Sequence, residues 1–334
     1  MLFVGSIKIN YMRVPKFNRV AAVIIAVAIF QSVNAQQKIT ATDKNAAIQK
    51  IARQIAANYV YPEKGGQIAS HLQTVNFNGM FEKAATWKEF NEMVTTELKQ
   101  FSHDGHLYVK NDPEIVKDLK NASGSAGVKG HINSASPVPA TMIQESKVFE
   151  GNVGYLKIPI ININKSNVNG LYDSMKKMQG TKALIIDMRD NGGGGSEMGP
   201  VFESFFLPEG APTLQYIARD GNYTTDSVVS WLKEKKYENP VFILVNRKTA
   251  SAAEAFAFVL QQNRRAKIIG ERTAGAAYMN SWYAIDDENF LSVSTAAPAI
   301  PGKNVTWELT GVQPDIKLKK GDALEVALRE AAKT

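Results

Sequence analysis

Ala183-Leu-Ile-Ile-Asp187-Met-Arg189-Asp-Asn191-Gly-Gly-Gly-Gly195 decides the fold. Its first five residues are a short apolar run closed by a carboxylate, which is the pattern of a strand covered on both faces. Four successive glycines then end the strand. They free the backbone to turn its N–H groups towards a ligand, forming an anion or oxyanion pocket, or else a tight structural turn. Spacing excludes a phosphate or dinucleotide loop, because neither G-x-G-x-x-G nor G-x-x-x-x-G-K-[ST] can be laid over these residues.

Outward from this strand, strands and helices alternate. Val153–Ile158 reads as a strand and 166–178 as a helix, and the glycine turn leads into a helix through Phe206. Strands are expected at 213–218, 241–246 and 268–269, a helix at 251–263, strand-like segments over 280–297 and a C-terminal helix over 322–332. Such βα alternation points to an α/β sheet with helices packed on it. Before it, residues 42–102 read as helical. Thr42-Asp43 is a candidate N-cap, Ile48, Ile51, Ile55 and Tyr59 recur at helical spacing, and Phe90, Val94, Leu98 and Phe101 share one face of a later helix. Residues 111–150 look loop-like and rich in Ser, Gly, Ala and Pro. The expected organisation is a helical N-terminal domain over 36–110, a linker over 111–150 and a core over 151–334.

Residues 1–35 carry Lys8, Arg13, Lys16 and Arg19 with no acid, then an apolar run from Val20 to Phe30, then Val33 and Ala35 at −3 and −1 of a cleavage site. This is the layout of a secretory signal peptide, and the run is too short for a membrane span. Export to the periplasm or the exterior is expected, with no stable membrane anchor after cleavage. Removing the four cations lowers the formal net charge from +7 to +3, and no dense basic run remains, so nucleic acid is excluded as an expected partner. The 334 residues contain no cysteine, which removes disulfides, thiolate metal sites and cysteine nucleophiles. With 44% hydrophobic and 21% charged residues the chain has a globular composition. No cofactor or metal is expected.

Four segments carry possible chemistry. Ser251 stands at a strand-to-helix turn in Thr249-Ala-Ser251-Ala-Ala-Glu254, where a nucleophile would be presented with the Ala252 N–H beside it; equally, Ser251 and Glu254 spell a capping box. The glycine turn, through Gly192 or Gly193, offers further N–H donors. His103-Asp-Gly-His106 ends the helical region and reads as a zinc pair lacking further ligands, as a base for a distant serine, or as an exposed loop. Glu308, after Trp307, is either an acid that orients an imidazole or a surface residue.

The order and wording of five motifs join these segments. Gly154-Tyr-Leu-Lys-Ile, Leu184-Ile-Ile-Asp-Met-Arg-Asp-Asn-Gly-Gly-Gly, Val245-Asn-Arg-Lys-Thr-Ala-Ser251-Ala-Ala-Glu, Ile269-Gly-Glu-Arg-Thr-Ala-Gly275 and Gly311-Val-Gln-Pro-Asp-Ile resemble the C-terminal processing (tail-specific) serine protease family. Tyr59-Val-Tyr-Pro-Glu-Lys and Asp104-Gly-His106 resemble its branch related to interphotoreceptor retinoid-binding protein and tricorn protease. The resemblance implies an α/β, ClpP/crotonase-like catalytic core preceded by a small helical domain, and a peptide or protein substrate. It implies Ser251 as nucleophile, His106 as base, Glu308 as its support, and an oxyanion hole from Ala252 with Gly193 or Gly192. The tail-specific branch uses a lysine after the Gly-Glu-x-Thr motif, where this chain has Ala276-Ala277, so a Ser–Lys dyad is not expected. Residues 107–150 are too few for a PDZ domain. The tricorn-like serine before the histidine is replaced by Gly105. Two rivals stand beside the peptidase: a catalytically silent binder of lipid or hydrophobic peptide, and an esterase. The esterase lacks a G-x-S-x-G elbow and has its residues in the wrong order.

Overall fold

A computed structural model describes residues 38–121, 128–129, 141–162, 164–195, 198–232, 235–303, 305–318 and 322–334. The expected signal peptide and its cleavage site lie outside the described residues. Residues Ile39–Thr334 form one compact unit. No helix among the described residues is long and apolar enough to cross a membrane.

Three helices open the unit: α1 (Ala41–Asn58), α2 (Pro62–Phe77) and α3 (Trp87–Ser102). The first is capped two residues earlier than the sequence suggests. Thr40, not Thr42, is the N-cap, and its side chain accepts from the Asp43 N–H (3.1 Å) while Asp43 Oδ2 accepts from the Thr40 N–H (3.1 Å). This reciprocal box satisfies two backbone donors at once, which a cap at Thr42 could not do with the residues that follow it. Ile48, Ile51, Ile55 and Tyr59 are buried as their spacing requires. Phe90, Val94 and Leu98 are buried too, whereas Phe101, the last of that face, is 42% exposed and stacks on His71.

Strand β1 (Tyr108–Asn111) follows α3, and the stretch after it is not a plain linker. Pro113–Asn121 forms α4, and β2 (Val128–Lys129) and β3 (Glu145–Phe149) lie further along. Ile115 and Val116 of α4 are buried against Phe290, with Leu119 packed alongside. Proline at its first position and a single apolar stripe suffice because the covering surface is supplied from far along the chain.

Among the described residues, two six-stranded sheets form. One runs β12 (Ile316–Lys317), β9 (Ala266–Gly270), β8 (Val241–Val245), β5 (Ala183–Asp187), β4 (Val153–Lys157), β3; it is parallel except for β3 at its edge. Side chains alternate across it. Leu184 and Ile186 face the cluster of α5 (Lys165–Met178), α6 (Met198–Glu203) and α7 (Ala252–Gln262), while Ala183 and Ile185 face α8 (Ala323–Ala331). Burial on both faces explains the unbroken apolar run in β5. The second sheet is antiparallel, ordered β2, β10 (Met279–Ala284), β11 (Asn289–Ala299), β6 (Pro212–Ala218), β7 (Tyr223–Ser227), with β1 also paired to β11. The eleven-residue β11 thus receives β1 after the helices, and the Val60 N–H donates to Ser294 O (2.8 Å).

Glu203 at the end of α6 is 2% exposed, with Oε2 unpartnered among the described residues, and burial pushes its carboxyl up to about 8. The folded protein therefore keeps a proton that an unfolded chain releases near pH 4.3. Stability from this group is full below that pH and is lost as pH rises through about 8. Glu203→Gln is expected to flatten this loss and to raise stability by a few kcal/mol at pH 9, read by urea denaturation across pH; an unchanged pH slope would contradict it.

Candidate active site

Ser251 occupies the junction between β8 and α7 with φ 52° and ψ −122°. An ordinary N-cap residue is extended, and a serine held at positive φ stores strain of about 1–3 kcal/mol that its surroundings must hold in place. They do so from both sides. The Thr249 hydroxyl donates to Met188 O (2.9 Å) and the Ala250 N–H to Asn191 O (2.9 Å), fastening the serine turn to the glycine turn. Glu254, fully buried, accepts from the Ser251 N–H (2.9 Å), the Gly275 N–H (2.7 Å), the Ala276 N–H (2.9 Å) and the Thr273 hydroxyl. Its contribution extends well beyond one helix end: it ties the segment after β9 to the serine. Burial raises its carboxyl above the usual range against the pull of these donors. Glu254→Ala leaves several buried donors unsatisfied and is expected to cost roughly 3–5 kcal/mol of stability, measured by urea denaturation; a loss below about 1 kcal/mol would contradict the clamp.

The glycine turn lies against the serine. A Cβ on Gly193 (φ +100°) would stand 2.7 Å from Ser251 Cβ and 3.0 Å from Ala252 N. Ala252 is the first residue of α7, so its N–H has no intrahelical acceptor. The Gly193 N–H is engaged, donating to Asn191 Oδ1 (2.9 Å), while Asn191 Nδ2 reaches Ile158 O (2.8 Å). Among the expected oxyanion donors, Gly193 is thus tied to a side chain in this state. Gly192 has open space beside it.

His106 lies in the turn between α3 and β1. Its N–H donates to Asp104 Oδ1 (2.8 Å) and its carbonyl accepts from the Ser292 hydroxyl of β11 (2.6 Å), so both sides of its peptide backbone are held. Burial lowers the imidazole's basicity, opposed by the Asp104 charge and aided by Lys99. Nδ1 is buried without a partner among the described residues. Glu308, 9% exposed, accepts at Oε2 from the Ala277 N–H (2.7 Å) and the Tyr278 N–H (3.2 Å). Burial, helped by the charges of Asp104 and Glu254, pushes its carboxyl up to about 7.

The segment Gly275–Tyr278 brings these parts together. A Cβ on Gly105 would sit 3.9 Å from Ala276 Cβ, Glu308 holds the next two N–H groups, and Ala277 lines a cavity with Ser251. That cavity, about 40 Å³, is walled by Leu214, Ala255, Ala277, Pro298 and Trp307 and has no lysine among its described lining residues. Among the described residues, no hydrogen bond joins His106 to Ser251 or Glu308. His71, by contrast, pairs with Glu97 (2.5 Å), and His131 lies outside the described residues. Sequence reasoning missed the roles of Asn191 and Thr249 in fastening the two turns; an Asn two residues before a glycine is a readable turn signal.

Residues 152–318 match peptidase family S41, and residues 31–146 match the N-terminal domain of peptidase S41 in eukaryotic IRBP. The chain belongs to peptidase family S41. It is 27% identical over 221 residues to the carboxy-terminal processing protease CtpA of Bacillus subtilis, covering 66% of this chain and 46% of that one. It is 31% identical over 185 residues to the carboxyl-terminal-processing protease of Synechocystis, covering 54% and 41%. The chain therefore spans under half the length of these relatives. The structure of the photosystem II D1 C-terminal processing protease superposes with a TM-score of 0.54 at 17% identity, over 84% of this chain and 94% of that one, which shows a shared fold.

Proposed function

We propose that the chain is an exported serine endopeptidase, periplasmic or secreted, that hydrolyses peptide bonds through an acyl-enzyme. Ser251 attacks the carbonyl, His106 takes its proton and later protonates the leaving amine, and Glu308 supports the imidazolium. The Ala252 N–H and that of Gly192 hold the oxyanion; Gly193 joins them if substrate releases its N–H from Asn191. The helical region, 36–110, carries the base to the core, 151–334.

The observation that carries this reading is the Ser251 backbone at φ 52° and ψ −122°, strained at a strand-to-helix turn and facing a cavity. A helix cap needs no such strain.

Treatment of the purified protein with a fluorophosphonate probe tests it. Labelling is expected in the wild type and lost in Ser251→Ala and His106→Ala. A folded wild type that stays unlabelled removes the proposal.

A further inference from the structure

We infer that Asp104 is a positioning residue of the catalytic centre, a second carboxylate that fixes His106 and presents negative charge to its imidazole. The inference rests on His106 being the base. Asp104 is 1% exposed and both its oxygens are engaged. Oδ1 takes the His106 N–H (2.8 Å), Oδ2 takes the Tyr59 hydroxyl (3.0 Å), and its own N–H is held by the Ser102 hydroxyl (3.0 Å). All three partners are neutral. A buried carboxylate held by neutral donors, with no ion pair among the described residues, keeps a long-range field.

That field reaches four titratable groups around the base. It favours the imidazolium of His106 and pushes up Tyr59, Tyr278 and Glu308. The other charged or ionisable neighbours are Lys99 of α3, which opposes the imidazolium, Glu254, and Tyr61 at the start of α2. Burial pushes the Glu308 carboxyl up to about 7, so a second negative group beside the base adds to what Glu308 supplies. Asp104 sits two residues from the base and touches its backbone, so the turn that aims the ring and the charge that stabilises its protonated form come from one side chain. Gly105, between them, leaves no side chain to take this part.

The test compares Asp104→Asn, which keeps an acceptor for the His106 N–H and removes the charge, with Tyr59→Phe, which removes one donor and keeps the charge. Two quantities are read on the purified protein: the rate of fluorophosphonate labelling, and the His106 imidazole titration by NMR, assigned with His106→Ala. Asp104→Asn is expected to slow labelling about 10- to 100-fold and to move the imidazole titration about one unit to lower pH. Tyr59→Phe should leave the titration in place. Wild-type labelling rates in Asp104→Asn would overturn the inference alone, as would slowed labelling with an unmoved titration, which marks a loop anchor only. An unlabelled wild type would overturn the peptidase reading and this inference with it.

Discussion

Ser251→Ala is expected to lower peptide hydrolysis by about a million-fold, because nucleophile, base and oxyanion donors act as a unit and losing the attacking atom forfeits nearly all of their joint effect. The loss should fall on kcat, with peptide affinity retained, since the cavity walls Leu214, Pro298 and Trp307 are untouched. The fold should survive. Glu254 bonds the residue's N–H, not its side chain, and alanine keeps that donor. The same site gives an independent check on strain: Ser251→Gly, inactive for the same reason, is expected to be more stable than wild type by about 1 kcal/mol, since glycine adopts φ 52° without penalty. Peptide hydrolysis and calorimetry on the two variants read both effects. An active Ser251→Ala protein would sink the assignment.

Gly193→Ala is expected to lower activity by about 10²- to 10³-fold, the scale set by loss of one oxyanion donor. The new methyl group would lie 2.7 Å from Ser251 Cβ and 2.8 Å from Ala250 O, contacts that real Cβ atoms do not tolerate. Backbone surrounds it, so relief requires the two turns to part, and with them the Ala252 N–H. The φ of +100° adds strain for any side chain. Stability should fall by about 1–3 kcal/mol. Gly192→Ala is the control: a Cβ there meets open space, so the steric loss should be absent. Equal activity in wild type and Gly193→Ala would show that this close approach is not needed.

The parallel sheet and its helices were legible because each element carries its own period. Ala183–Asp187 needs no knowledge of its neighbours to read as buried, and α5 and α7 fall within a residue of their expected bounds. What escaped depended on distant partners. α4 is apolar on one narrow stripe, and its lid, Phe290, lies more than 170 positions away. The antiparallel sheet order rests on pairings such as Tyr108 with Ser292, which no local pattern encodes. The site divides the same way. The proposed set of Ser251, His106 and Glu308 comes from motif wording. Local spacing showed only the cap within Glu254's role, because its other donors, Thr273, Gly275 and Ala276, arrive after an intervening strand.

The pairing of β1 with β11, and the Ser292 hydroxyl on the His106 carbonyl, have a consequence for the life of the chain. The proposed base is fixed to one sheet and the proposed nucleophile to another, more than 140 positions apart in sequence. Under this assignment a half-folded molecule has its serine without its histidine. Hydrolytic power would then require the pairing of β1 with β11, and a chain that lacks it would lack the activity.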